Sequence, residues 1–433
     1  MHAWIAACGI GRDSDRRVIG IETHTEPSTR TGLNKAWFYA VLAFAVFGTQ
    51  NAVMIVPPLL VEIATDLEIS VAVAGQMATA TFAAWAVAVI SVGPLSDSLG
   101  RRPVALTGMV LVMLSVLASA FAPNIETLLA LRLLTGFGGG TLPPNAVGVL
   151  SDVISPARRA QAVSGMLAIN GVAAAVSAPL AALLAEAGSA LFDGSGGWRF
   201  AFLVGGMLPA TAFMANWVWF PRAPRDRVRS MQFFSRYRSL MSLRFFRVAL
   251  AVGVSQRIAY WAMTSFFAAY LINTHNLNVG FAALPLGIVA SAQVFGSYCG
   301  AFVATSRRRA VLLASISVAG GAMGLVSFGF DLGFWPTVAV AMVSSGLLSV
   351  PIPALVSIST EYSGESKATG ASLMGLSNQS GGMLGAGIAG AILASSGYAG
   401  IGYLLLGSTI VSAILTSLFG RQFREVGGGT AGD

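Results

Sequence analysis

Long apolar runs separated by short polar breaks organise this chain from about residue 36 to residue 420. Each run is close to the about 20 residues that an α-helix needs to cross the hydrocarbon of a bilayer. Twelve spans are predicted, at 36–58, 73–95, 104–123, 127–149, 160–187, 199–220, 247–273, 278–304, 309–330, 335–357, 367–394 and 399–420. A helix on the surface of a soluble protein would keep one polar face. Val104 to Ala122 reads VALTGMVLVMLSVLASAFA and has none. The pattern predicts an all-α membrane protein.

The longest polar break divides the spans into two sets of six, predicting six-helix bundles over 35–221 and 247–420 joined by a basic linker at 222–246. The break carries eight arginines between Arg222 and Arg247, with Phe233, Phe234, Tyr237, Leu240 and Met241 at helical spacing. It reads as a basic amphipathic helix on an anionic leaflet, or as a flexible charged linker. Residues 1–34 and 421–433 read as cytoplasmic tails, the first disordered. The short apolar run before Cys8 has no basic leader and does not read as a signal peptide.

An internal repeat agrees with this division. A shift of 208 residues sets Ser151–Gly188 on Ser359–Ser396, with Met166 on Met374 and Asn170 on Asn378. A shift of 207 sets Arg101-Arg102 on Arg308-Arg309 and Gln50 on Arg257. Duplicated halves around a midplane site are a transporter architecture.

Composition sharpens the reading. Charged residues make up 10% of the chain, against roughly 25% in soluble domains, and glycine stands at 50 of 433. Small residues let membrane helices pack backbone to backbone. The net charge of +8 does not form a nucleic-acid patch, because the arginines recur in short clusters between apolar runs. With the N-terminus in the cytoplasm, 23 of the 26 Lys and Arg fall on that side, Arg199 falls outside, and Arg132 and Arg257 lie within helices. The positive-inside rule therefore puts both termini in the cytoplasm and the chain in the inner membrane. Two cysteines and three histidines provide no metal-ligand spacing, and no cofactor motif is present.

The most specific string is GPLSDSLGRRPV, Gly93 to Val104, between the second and third spans. Gly93 and Gly100 allow a tight turn that sets Asp97 beside Arg101 and Arg102. It matches the loop pattern G-x-L-x-D-x-x-G-R-[RK]-x-[VIL] at every specified position, and the chain is identified by it as resembling the major facilitator superfamily. Arg132 opening RLLTGFGGG, SPARRAQA at Ser155–Ala162 and GWRFAF at Gly197–Phe202 resemble the branch of twelve-helix drug:proton antiporters and metabolite exporters. The fifth span departs from that branch: AAAVSAPLAA, Ala173–Ala182, keeps Pro179 but has alanines where the antiporter motif has glycines. The resemblance implies two pseudo-symmetric six-helix bundles, a cavity lined by helices 1, 4, 7 and 10, and a latch in which Gly93, Asp97, Gly100, Arg101 and Arg102 meet helix 11.

A charge at the centre of a membrane helix costs about 2.5–3.5 kcal/mol on insertion scales, so one placed there usually faces a polar cavity. Arg132 and Arg257 are therefore candidate cavity residues, although either could snorkel or satisfy backbone carbonyls. Arg257, Tyr260, Trp261 and Thr264 share one helical face. Gln50, Asn51, Asn170, Asn378 and Gln379 complete the candidate substrate site, with interhelical hydrogen bonding as the competing role. No acidic residue is at mid-helix, so coupling by a proton rests on Arg132, Glu62, Asp97 and Glu186. A cavity with arginines and aromatics suits a neutral or anionic amphiphile. The leading expectation is a monomeric exporter of a small molecule, drug or metabolite by proton antiport, not an enzyme. The alternative is a proton-coupled uptake symporter or exchanger for an organic anion.

Overall fold

Helices follow the apolar runs in a computed structural model that describes residues 30–154, 156–192, 196–220, 238–363 and 367–420, without the side chains of 30–36, 93, 94, 97, 98, 147, 151–153, 156–164, 167, 168, 170 and 367–369. The basic linker up to residue 237, residues 1–29 and 421–433, and the side chains of Asp97 and Asn170 thus lie outside the described residues, and Gly93 is described by its backbone alone.

The first half comprises α1 (Arg30–Met54 continuing as Val56–Asp66), α2 (Val71–Ala74 and Gln76–Leu99), α3 (Arg101–Ser119), α4 (Ile125–Val153), α5 (Pro156–Leu191) and α6 (Gly197–Trp219). The second comprises α7 (Arg244–His275), α8 (a 3-10 turn Val279–Ala282, then Ala283–Ala304), α9 (Arg309–Gly329) and α10 (Phe334–Ser349 and Pro351–Tyr362). Lys367–Leu418 completes it as α11 (367–396) and α12 (398–418), which part at Gly397, φ 69°. Among the described residues nine stretches are long and apolar enough to cross a membrane. The 49-residue Gly370–Leu418 stretch holds two of the crossings, and α4 and α7, interrupted by Arg132 and Arg257, bring them to twelve.

Several helices outrun their predicted ends, and two of them restart at proline. The first continues past 58 to Asp66, and the tenth past 357 to Tyr362. In both, the chain breaks for one residue and restarts with proline in the first turn, at Pro57-Pro58 and at Pro351. Proline is tolerated there because the first-turn N–H groups have no intrahelical partner.

The packing is asymmetric along the membrane normal. Toward the Asp66 end of α1, one apolar core runs through both halves, from Ile55, Leu59 and Phe202 to Phe266, Phe267 and Leu348. Toward the Arg101 end the halves keep separate cores, Phe38 to Phe220 in the first and Leu240 to Met374 in the second. An aromatic belt, Val53, Met54, Phe82, Trp85 and Trp261, crosses between the halves at mid-depth. The halves are thus fused at the Asp66 end and diverge toward the Arg101 end.

Candidate substrate site and gates

The face of α7 predicted from spacing forms the polar centre between the halves. Arg257 is only 3% exposed, and its guanidinium carbon lies 4.2 Å from the centroid of the Tyr260 ring one turn on. Its Nε is buried without a hydrogen-bond partner, and no carboxylate among the described residues pairs with it. The close approach of α11 sets its surroundings: at Gly381 a side chain would run into the Arg257 Cβ and come within 2.9 Å of the Val254 carbonyl. Stacking on Tyr260 retains a cation that nothing else on α7 neutralises.

The polar chain continues from there. The Tyr260 hydroxyl donates to Gln293 Oε1 on α8 at 3.1 Å, and Gln293 Nε2 points to Thr264 Oγ1 at 3.4 Å. Trp261 Nε1 donates to Asn378 Oδ1 on α11 at 3.2 Å, and its ring packs 4.4 Å from Phe82 of the first half. Gln379, the next residue on α11, holds Oε1 buried without a partner. Gln50 is half-buried on α1, one turn before Val53 and Met54 of the belt. Arg257, Tyr260, Trp261, Asn378 and Gln379 are therefore gathered on α7 and α11. Gln293 and Phe82 are functional candidates that the sequence reading left out of the site. An apolar run gives no signal for which of its aromatic residues faces a cavity.

Two expected cavity residues turn toward neighbouring helices of the first half. Arg132 is fully buried inside the first half: Nη1 donates to the Ala52 carbonyl at 3.2 Å, Nη2 to Ser119 Oγ at 2.7 Å, and the guanidinium lies 5.0 Å from the Phe202 ring. It ties α4 to α1 and α3 in this conformation. Asn51 is 2% exposed and donates to the Gly205 carbonyl at 3.1 Å, so it faces α6. Both make helix-helix hydrogen bonds, the alternative role of polar residues in membrane helices, although the Arg132 Nε is buried without a partner.

At the Arg101 end, Gly100 turns α2 into α3 with φ 94°, a conformation that only glycine adopts readily. Arg102 Nη2 then donates to the Trp217 carbonyl of α6 at 2.5 Å. The Arg101 guanidinium lies against α4 at Gly148, where a Cβ would occupy its place. The second half has an analogous device that the sequence indicated only through the 207-residue shift. Arg309, 2% exposed, donates to Glu361 Oε2 at 2.8 Å and to the Ala304 carbonyl at 3.2 Å, tying the α8–α9 turn to the end of α10.

At the Asp66 end, Glu62 Oε1 accepts from Ser189 Oγ at 3.1 Å and from the Trp198 backbone N–H at 3.0 Å, while Oε2 is buried without a partner. Asp66 pairs with Arg199 at 3.0 Å and accepts from Trp198 Nε1 at 3.0 Å. Glu186 reaches across to the second half, where Oε2 accepts from the Gly280 N–H at 3.3 Å. The GWRFAF string therefore supplies a polar clasp for α1, and Glu186 bridges the halves.

The family model described as Major Facilitator Superfamily matches residues 42–359. The chain is 35% identical over 134 residues to the 4-hydroxybenzoate transporter PcaK of Pseudomonas putida, covering 31% of this chain and 28% of that protein. It is 30% identical over 193 residues to the gallate transporter of Pseudomonas putida, covering 44% of this chain and 40% of that protein. The similar stretches thus span well under half the length of either relative. Among solved structures, a bacterial homologue of the human lysosomal transporter Spinster, in its inward-facing and unoccupied conformation, superposes with a TM-score of 0.71. That likeness covers 90% of this chain and 98% of the other at 17% identity, and carries the fold alone.

Proposed function

Because the chain belongs to the Major Facilitator Superfamily, we propose that this transport protein takes up small aromatic carboxylates by alternating access, driven by protons. Membership makes it a multi-pass membrane carrier of a small molecule rather than an enzyme. The observation that carries the substrate class is Arg257: a buried cation, unpaired with any described carboxylate, stacked on Tyr260 and next to Trp261. An aromatic carboxylate brings the charge that the guanidinium lacks and a ring for the surrounding aromatic faces.

The two relatives are named for 4-hydroxybenzoate and gallate, which supports the organic-anion alternative over drug export. The separate cores at the Arg101 end fit a carrier open on the side that the charge distribution assigns to the cytoplasm. For coupling, Glu62 combines a buried, unpartnered carboxylate oxygen with a position beside Glu186, the residue that bridges the halves. A monomer suffices, since one chain holds both halves of the cavity.

The test is uptake of labelled 4-hydroxybenzoate into proteoliposomes with an alkaline interior. Accumulation that collapses when the pH gradient is dissipated is the expected result. Efflux of cationic drugs without any movement of aromatic acids would overturn the proposal in favour of the exporter.

A further inference from the structure

A small cavity lies next to the polar chain on α7, toward the fused end. Its volume is about 30 Å³, and its apolar walls come from both halves, among them Met54, Pro57 and Ala178 from the first and Phe267 and Val289 from the second. Three polar side chains reach it: Thr264, Gln293 and Ser345. Ser345, 1% exposed on α10, has a buried Oγ with no hydrogen-bond partner. A hydroxyl left unpaired in a membrane protein interior is costly, and this one borders a space that can receive its partner.

Size and chemistry limit the occupant. A water needs about 10–15 Å³ of such space, whereas a cavity of about 150 Å³ is needed for a benzene ring. The cavity therefore takes about two or three water-sized groups and no ring. Gln293 forms a wall shared with the substrate site, because its Oε1 accepts from Tyr260, the ring on which Arg257 is stacked. Thr264 lies seven residues beyond Arg257 on the same face of α7, about 10 Å along the axis. The Arg257 guanidinium lies 4.2 Å from the Tyr260 ring, and the Tyr260 hydroxyl reaches Gln293 on the wall of this cavity.

We propose that this cavity is a specificity pocket for a ring hydroxyl of the carried aromatic acid, held by Ser345 and Gln293 while Arg257 holds the carboxylate. The inference rests on the aromatic-carboxylate reading above and adds to it a residue-level account of which aromatic acids are preferred. Ser345 Oγ, able both to donate and to accept, takes the hydroxyl in either sense. A methoxy group in the same position cannot donate.

The test measures affinities of the purified full-length protein for benzoate, 3-hydroxybenzoate, 4-hydroxybenzoate and 4-methoxybenzoate. At least one hydroxylated acid is expected to bind about three- to ten-fold more tightly than benzoate, the worth of one net hydrogen bond, and the methoxy acid, which cannot donate, more weakly than 4-hydroxybenzoate. Ser345→Ala is expected to erase that preference, and Ser345→Val, which fills the space, to reverse it. Equal wild-type affinities for benzoate and both hydroxybenzoates would overturn the pocket while leaving the aromatic-acid reading intact, as would a preference unchanged in Ser345→Ala. A wild type that binds none of the four acids would overturn that reading and the pocket with it. The wild-type ligand series decides the matter even where a variant fails to fold.

Discussion

Replacing Arg257 by glutamine separates substrate recognition from stability because the two respond with opposite signs. The guanidinium is 3% exposed, stacked 4.2 Å from Tyr260, and its Nε has no partner. Holding an unpaired charge in a membrane helix costs about 2.5–3.5 kcal/mol on insertion scales. Glutamine removes that cost and some stacking, worth about 0.5–2 kcal/mol, so the empty variant is expected to unfold at the same temperature as the wild type or higher. Binding of a carboxylate then loses one charge-assisted interaction, about 1.5–3 kcal/mol, which is about ten- to a hundred-fold in affinity. A neutral ligand of the same shape loses far less. The assay pairs thermal unfolding of the purified protein with affinities for 4-hydroxybenzoate and 4-hydroxybenzamide. Equal losses for the acid and the amide would refute the reasoning, and a less stable variant with intact discrimination would make Arg257 a structural residue.

Arg132→Met is expected to lower stability by about 1–3 kcal/mol, since Ser119 Oγ and the Ala52 carbonyl lose their partner, while the preference for acid over amide stays; unfolding and binding of the same sample check both. Glu361→Gln leaves Arg309 buried opposite a neutral amide, and because Glu361 is 38% exposed the loss should lie toward the lower end of the about 3–5 kcal/mol for broken buried pairs, read from the unfolding midpoint. Asp97→Asn is expected to slow transport with normal membrane insertion, by removing the anion of the latch; wild-type rates would make that turn a solvated loop. Glu62→Gln keeps the hydrogen-bonded shape and removes the titratable group, so substrate exchange between equal pH compartments should persist while pH-driven accumulation is lost. Accumulation at the wild-type level would remove Glu62 from the coupling mechanism.

The twelve crossings, the duplication and the α2–α3 turn were legible in the sequence because each rests on a local rule. A span is an apolar length, a repeat is a residue match at fixed spacing, and the turn needs a glycine that reaches φ 94° at Gly100. The shared face of Arg257, Tyr260, Trp261 and Thr264 followed from helical spacing alone. Helix ends were less legible: prolines at 57, 58 and 351 look like stops, yet they begin second segments. What only the tertiary structure decided is which way each polar side chain turns. Arg132 and Arg257 are chemically identical and both buried, but α1 and α3 offer the first a carbonyl and a hydroxyl, while the second leans on the Tyr260 side chain. Likewise Asn51 is consumed by the Gly205 carbonyl, and Ser345, one of many serines in apolar runs, is left unpaired beside a cavity. Hydrophobicity along the chain fixes that a residue is in the membrane, but the partner that satisfies it comes from another helix, 13 to 154 residues away for Arg132 and Asn51, and no local pattern encodes that.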